Sequence, residues 1–307
     1  LLKMSSYHEP VMKHEIIKNL EKKKNAVYID ATLGMGGHTH AIMESDIKPK
    51  KMFCIDLDEE SLSMAKENLS DHSKNITYIQ GNFKDIDNLV NEKVDGIIAD
   101  LGISTYQLLS ASRGFSFDEK SLLDMRIDKK QQLTAHRIVN NYNIKDLSDL
   151  IKNFGEEKNH FKIASAIVRH RSKKEIKTCF ELAEIIRQSN KSITKIDSAT
   201  RTFQALRIEV NGELISLSSF LSKSRSILKK GGRLIIITFH SLEDRIVKKF
   251  FKQAESECIC PKSVMICNCG KKKTFRRLTK KPLIPSEEEV SMNKKARSAK
   301  MRIGEAC

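Results

Sequence analysis

Short apolar runs alternate with amphipathic segments along the first third of the chain. Four runs, at 27–29, 52–55, 76–79 and 96–99, have the length and composition of buried strands, and the segments between them show helical spacing. A polar or glycine-bearing turn follows each run. This alternation is typical of β-α-β units, in which the carboxyl ends of parallel strands, and the turns after them, meet at one edge of the sheet.

The pattern changes after residue 104. Residues 108–200 show helical periodicity with almost no strand-like runs, and short helices are predicted over 148–154, 162–170 and 180–188. A segment of this length without strands interrupts the β-α-β alternation, so we expect an inserted, mostly helical domain.

The earlier alternation returns in the last third of the chain. A helix is predicted over 214–228, a turn at 230–232 and a strongly apolar strand over 233–239. Beyond residue 251 the chain carries cysteines and then basic residues, and we expect it to be loop-rich. We therefore predict an α/β, Rossmann-like fold with four parts: core 1–107, helical insert 108–204, core 205–250 and basic tail 251–307.

The turn after the first run suggests a nucleoside ligand. Asp30 precedes a glycine-rich turn at 34–37, where bare backbone can approach a ligand. Twenty positions after Gly36, Asp56 ends the second run, and a carboxylate there can accept both hydroxyls of a ribose. Thr39 stands where a dinucleotide fingerprint has its third glycine, and Asp30 would repel a phosphate but attract an ammonium. The turn therefore favours S-adenosylmethionine over a dinucleotide, with a purely structural turn as the alternative.

The charge of the chain indicates a polyanionic partner. Its 307 residues include 55 Lys and Arg against 39 Asp and Glu, which gives a net charge of +16. Twelve basic residues and three glutamates between 271 and 302 place +9 of this charge in the tail. Because lysines that serve solubility would be spread evenly, we expect the tail to bind nucleic acid.

Cysteine usage and hydropathy indicate the compartment. No apolar run reaches the roughly 20 residues of a membrane span, no signal-peptide pattern opens the chain, and seven cysteines are too few for a disulfide scaffold. We expect a cytoplasmic protein with no membrane partner. Two C-x-C pairs, Cys258 with Cys260 and Cys267 with Cys269, either hold zinc or remain thiols of the tail, since structural zinc sites usually use C-x-x-C.

Two segments after the core strands carry candidate chemistry. Asp100 ends the fourth run, where an acid can accept hydrogens of an amine substrate, and the alternative is a strand-end or N-cap aspartate without a catalytic role. Arg113, Phe115 and Arg126 lie in a loop-like stretch that can clamp phosphates and stack a base, or can instead pack as a cap.

Basic positions also occur near the second part of the core. Arg201 and Arg207 are six residues apart in a predicted helix, and His240 follows the strongest strand. A histidine there can move a proton or bind phosphate, but a structural hydrogen-bonding role is the commoner one.

With these blocks assembled, the chain resembles the RsmH/MraW family of bacterial ribosomal RNA methyltransferases from about residue 7 to residue 302. The blocks are D-A-T-L-G-M-G-G-H at 30–38, D-L-G-I-S at 100–104, R-G-F-S-F at 113–117, L-D-M-R at 123–126, A-T-R-T-F-Q-A-L-R at 199–207, the segment 231–245 and A-R-S-A-K at 296–300. Tyr106 and Lys294-Lys295 depart from the family pattern.

The resemblance implies a class I S-adenosylmethionine-dependent methyltransferase that methylates N4 of a cytidine in the decoding centre of small-subunit (16S) rRNA. It implies a donor pocket made of Gly36, Gly37, His38, Asp56, Phe83, Asp100 and Gln107. Because Asp100 ends the fourth strand above this pocket, we expect it to be the catalytic residue, with Asp100 or a neighbouring carbonyl accepting an amine hydrogen. We expect substrate contacts at Arg113, Phe115, Arg126, Arg201, Arg207, His240 and Arg245. The expected partner is the rRNA or the assembled small ribosomal subunit, and a homodimer stays open.

Two other functions stay open at this point. The chain could be a methyltransferase that acts on another RNA, or one that acts on a protein or a small molecule and would bind the donor without needing the basic tail. A non-catalytic RNA-binding protein with a relic cofactor fold would not need an intact donor site, although Asp56 and Asp100 are both present.

Overall fold

The computed structural model describes residues 9–117, 121–190, 197–261, 266 and 268–307. The chain forms two compact units, one made of Leu1–Gly102 with Leu214–Cys307 and the other of Ile103–Glu213. The second unit contains the whole predicted insert. The predicted boundary at 204–205 falls inside a helix, Thr200–Asn211, whose buried apolar positions continue to Val210.

Within the described residues, a seven-stranded sheet organises the first unit. Its strands are β1 (Val27–Asp30), β2 (Lys51–Asp56), β3 (Ile76–Gln80), β4 (Val94–Asp100), β5 (Leu228–Thr238), β6 (Phe275–Arg277) and β7 (Lys300–Ala306). The order is β3-β2-β1-β4-β5-β7-β6, with β1 to β5 parallel, β7 antiparallel to β5 and β6 antiparallel to β7. The strand order reverses between β1 and β4: β2 and β3 are added on one side of β1, and β4 and β5 on the other. A ligand crevice is expected at the carboxyl ends of the strands at such a switch point.

Helices cover both faces of this sheet because its strands alternate two buried sets of side chains. Ile29, Ile97 and Ile236 belong to the cluster on one face, and Tyr28 and Ile98 to the cluster on the other. The first unit contains the helices α1 (Lys13–Asn19), α2 (Gly37–Glu44), α3 (Glu59–Asn68), α4 (Ile86–Leu89), α11 (Glu213–Ile227, beginning at the unit boundary), α12 (Ser241–Glu255) and α13 (Glu287–Met292). Of these, α4, α11 and α12 pack on the first face, and α1, α2 and α3 on the second.

The strand predicted over 233–239 begins earlier than its apolar run. β5 already pairs with β4 at Leu228, loses the register and resumes it at Arg233. The glycine pair predicted as a turn forms this irregularity, and Gly231 has a φ of +80° there. A turn signal inside a strand can thus mark a bulge.

The tail contains loops, as the sequence predicts, together with regular structure that the sequence did not predict. Residues 251–307 include the end of α12, the helix α13 and the strands β6 and β7, and β7 is almost wholly buried beside β5. Arg302 and Glu305 interrupt the apolar pattern of β7 in the sequence, but in the fold both are paired. Arg302 forms an ion pair with Asp244 through two hydrogen bonds, and Glu305 pairs with Arg233 and Arg276.

The second unit is helical, as the sequence predicts. Its helices are α5 (Thr105–Leu109), α6 (Ala135–Asn141), α7 (Ile144–Gly155), α8 (His160–Arg171), α9 (Cys179–Ser189) and α10 (Thr200–Asn211). One cluster of buried side chains joins α6 to α10 and includes Leu147, Ile163 and Leu182. In neither unit do the described residues include a helix long and apolar enough to cross a membrane.

Candidate active site

The turn between β1 and α2 requires glycine. Gly36 is the N-cap residue of α2 with a φ of +89°, a conformation that side chains rarely adopt. A Cβ atom on Gly36 would lie 2.7 Å from Cδ1 of Leu69, which is fully buried. No side chain caps the first turn of α2. Its leading backbone N–H groups therefore face the carboxyl edge of the sheet without a side-chain acceptor, as a ligand-binding turn needs.

Asp56 connects this turn to the next strand. One carboxylate oxygen accepts the N–H of Gly34 at 2.7 Å, and the other accepts the N–H of Asp58 at 2.9 Å. Burial raises the pKa of Asp56 to about 6, although these two N–H donors act in the opposite direction. Because each carboxylate oxygen has a second lone pair, Asp56 keeps acceptor capacity for the hydroxyls of a ribose.

Asp30 has an internal role that the sequence did not predict. It is 1% exposed, and its carboxylate accepts the hydroxyl of Thr39 at 2.8 Å and the N–H of Thr32 at 3.2 Å. Burial raises the pKa of Asp30, and His38 and Thr39 oppose this rise. The carboxylate therefore anchors α2 to β1 through Thr39, rather than presenting an open surface to an ammonium. The one advance signal was a hydroxyl at the place of the third glycine.

Asp100 is oriented by Thr32, in the turn after β1, and by His38, in the first turn of α2. Its N–H donates to the hydroxyl oxygen of Thr32 at 2.7 Å, and its Oδ2 atom lies 3.2 Å from Nε2 of His38. The N-cap alternative for Asp100 is wrong, because Ser104 caps the following helix. The Oδ1 atom of Asp100 is buried, and no group of the described chain hydrogen-bonds to it. An acceptor held in place at one oxygen and unused at the other suits a hydrogen-bond donor from a substrate.

His38 interacts electrostatically with the carboxylates around it. Burial lowers its pKa, but the hydrogen bond and charge of Asp100, with the charges of Asp30 and Glu289, outweigh burial and raise the pKa above the ordinary value. The Nδ1 atom of His38 is buried and has no hydrogen-bonding group among the described residues. A proton on Nε2 lets His38 donate to Asp100 and hold that carboxylate.

The two remaining predicted donor residues lie in different units. Phe83 follows β3 in the first unit, and its ring meets that of Phe220 edge-on at 5.2 Å. Gln107 lies in the second unit and is buried. Its Oε1 atom accepts the N–H of Ser104 at 2.9 Å, so this amide completes the capping box of α5.

The three predicted substrate residues nearest the start of the second unit are inside it. Arg113 is 1% exposed and donates to the carbonyl of Ile127, and Phe115 belongs to the buried cluster. Arg126 forms two bonds with Asp124 and two more with backbone carbonyls. These contacts favour the packing alternative over phosphate clamping.

The other predicted substrate residues differ in exposure. Arg201 is 53% exposed at the start of α10, whereas Arg207 pairs with Glu213 through two contacts. His240 is the N-cap residue of α12 in a capping box with Glu243, which favours the structural role. Arg245 is exposed on α12.

Comparison with known proteins identifies the family. A sequence profile described as the MraW methylase family matches residues 5–307. The chain belongs to the MraW methylase family. Its relatives include ribosomal RNA small subunit methyltransferase H of Caldicellulosiruptor saccharolyticus, 45% identical over 97% of this chain and 98% of that protein. The proteins of the same name from Clostridium botulinum and Clostridioides difficile are 46% and 41% identical, and each comparison covers 98% of this chain and 99% of the relative.

The first unit fits the methyl donor of a MraW methylase, which is S-adenosylmethionine. Gly36 keeps bare backbone in the turn, since a Cβ atom there would collide with the core at Leu69, and Asp56 has acceptor capacity for a ribose. Asp100 has one buried oxygen that no described group uses. The α/β architecture is the Rossmann-like fold of class I methyltransferases that the sequence predicts.

Proposed function

We propose that this chain methylates N4 of a cytidine in the decoding centre of small-subunit rRNA, with S-adenosylmethionine as donor. Family membership supports methyl transfer, and the names of the relatives support small-subunit rRNA as substrate. The resemblance of the sequence blocks to the RsmH/MraW family supports the cytidine N4 and the decoding centre. The single structural observation that carries the chemistry is the unused Oδ1 atom of Asp100.

In this proposal Asp100 compensates for the low nucleophilicity of the cytosine amine. The lone pair of the cytosine amine is delocalised into the ring, which makes this amine a poor nucleophile. When Oδ1 of Asp100 accepts one amine hydrogen, the lone pair becomes more localised on nitrogen and the amine is oriented for attack. The bound donor supplies the methyl group on a sulfonium. No covalent intermediate with the protein is needed, so the cysteines take no part.

His38 is a positioning residue in this proposal. Its Nε2 atom, 3.2 Å from Oδ2 of Asp100, fixes the carboxylate so that Oδ1 stays directed to the amine. The N–H of Asp100 is fixed by Thr32. Two contacts at two different atoms leave Asp100 little freedom to rotate, and positioning of this kind is the main contribution expected of an enzyme that forms no covalent intermediate.

The tail contributes exposed charge for RNA. Lys280, Lys281, Lys294 and Arg297 are exposed, whereas Arg302 of the same tail is buried in an ion pair with Asp244. Only part of the +9 of the tail is therefore presented to a partner. RNA held through phosphates can offer an unpaired base that is turned out of its loop.

The direct test is nucleoside mass spectrometry of small-subunit rRNA from a strain that lacks this protein. We expect loss of one N4-methylated cytidine, restored by the wild-type chain and not by the Asp100→Asn variant. An unchanged methylcytidine content would contradict the proposed substrate. A strain restored by Asp100→Asn would contradict the role of Asp100 while leaving the substrate in place.

A further inference from the structure

The connection between α12 and β6 brings three cysteine side chains together. The sulfur atoms of Cys258, Cys260 and Cys269 all lie within 4.8 Å of one another, and those of Cys258 and Cys269 are 3.9 Å apart. Sulfurs bound tetrahedrally to zinc at about 2.3 Å are about 3.8 Å from each other, whereas a disulfide needs about 2.05 Å. The spacing of Cys258 and Cys269 therefore matches an edge of a tetrahedral metal site.

Contacts outside the cysteines close this connection. The N–H of Thr274, next to β6, donates to the carbonyl of Ala254 in the last turn of α12 at 2.9 Å. The Nζ atom of Lys271 donates to the carbonyls of Gln253 and Ser256. The two ends of the connection are thus hydrogen-bonded to each other, which brings Cys269 close to Cys258 and Cys260.

The surroundings suit thiolate ligands. The N–H of Cys260 donates to the sulfur of Cys258 at 3.3 Å, and outer hydrogen bonds of this kind orient metal ligands. The one-residue spacing of each pair departs from the usual C-x-x-C, but the placement of the sulfurs answers that objection.

We propose that Cys258, Cys260 and Cys269 bind a structural Zn²⁺ ion. Soft thiolates select zinc over magnesium or calcium. Cys267 completes the second C-x-C pair in the sequence but lies outside the described residues, so the proposal rests on the other three. The ion links Cys258 and Cys260 to Cys269, and its site shares no residue with the donor turn.

The test measures zinc in the full-length chain purified under reducing conditions from a zinc-supplemented culture. We expect about one zinc ion per chain by mass spectrometry, and sulfur-to-cobalt charge-transfer bands when Co²⁺ replaces it. Cys258→Ser and Cys269→Ser should each lose the zinc and these bands. A chelator applied to the wild type should remove the ion reversibly while circular dichroism reports that the fold persists, so the test does not depend on the variants being folded.

Two control variants separate this site from other ligands. Cys307→Ser removes an exposed thiol outside the cluster, and His72→Ala breaks the other grouping of described metal-ligand side chains in the first unit, His40 with Glu44 and His72. Both should keep the zinc. The proposal is overturned by a wild-type chain without zinc, by zinc that persists in Cys258→Ser and Cys269→Ser, or by a Cys258–Cys269 disulfide in the reduced preparation.

Discussion

Substitution of Gly36 by alanine tests the donor turn at its most constrained position. Gly36 has a φ of +89°, and its new Cβ atom would lie 2.7 Å from Cδ1 and 3.1 Å from Cγ of Leu69. Leu69 is fully buried, so its side chain has no open space to enter. The substitution therefore forces either the turn or the core beneath it to shift.

The expected loss of stability has two parts. A left-handed backbone costs a residue other than glycine about 1–2 kcal/mol, and overpacking of a buried site costs about 1–3 kcal/mol. Gly36→Ala should therefore lower the free energy of unfolding by about 2–5 kcal/mol. Gly231→Ala is the matched control in the same unit: its φ is +80°, but its Cβ atom would meet only Oε2 of Glu21, at an ordinary contact distance of 3.8 Å, and the more distant Nζ of Lys23. It should lose only the backbone part, about 1–2 kcal/mol.

Urea unfolding followed by circular dichroism gives the stabilities, and calorimetric titration with S-adenosylhomocysteine gives the affinity of the donor site. We expect Gly36→Ala to weaken binding by at least about tenfold, equivalent to about 1.4 kcal/mol, since the turn that meets the ligand moves. Gly231→Ala should bind as the wild type does. Equal stability losses in the two variants, with unchanged affinity in both, would refute the reasoning about this turn.

Three further predictions concern charge. The pKa of Asp56 is raised to about 6, and its ionised form is the better acceptor for ribose hydroxyls. Calorimetry should therefore record tighter donor binding as pH rises through that value, and Asp56→Asn should remove the pH dependence. The pKa of His38 is raised, so its protonated form stabilises the fold below about pH 6.5, and this stability is lost as pH rises through the folded-state pKa. Urea titrations should record a falling free energy of unfolding over this pH range in the wild type and not in His38→Asn. Replacing Lys280 and Lys281 by alanine should lower the slope of log affinity for rRNA against log salt by about 1.5 in filter-binding assays, while a slope equal to that of the wild type would exclude phosphate contacts at these lysines.

Much of the parallel part of the fold could be predicted because its strands are buried on both faces. The runs at 27–29, 52–55 and 96–99 are continuous and apolar for this reason, and each became part of a strand. β7 could not be predicted in the same way. Its Arg302 and Glu305 interrupt the apolar pattern, and only the fold brings Asp244 and Arg233 to them as partners.

In the candidate site, too, local features could be predicted from the sequence and contacts between distant residues could not. Local signals were sufficient to place Gly36 in a tight turn and Asp56 at a strand end, because both features are read from neighbouring residues. The contact of His38 with Asp100 joins residues 62 positions apart, which no local pattern contains. Arg126 was expected to bind RNA because the sequence gives its charge but not its bonds to Asp124.

Single-turnover methylation of small-subunit rRNA by Asp100→Asn, at saturating donor, tests the central claim most directly. The substitution keeps the shape of the side chain and replaces the charged carboxylate acceptor by a neutral amide, whose oxygen is a weaker acceptor of the amine hydrogen. If Oδ1 of Asp100 positions and polarises the amine, the rate constant should fall by about 10²-fold, whereas calorimetry records a donor site that still binds. A wild-type rate with unchanged donor affinity would contradict the claim.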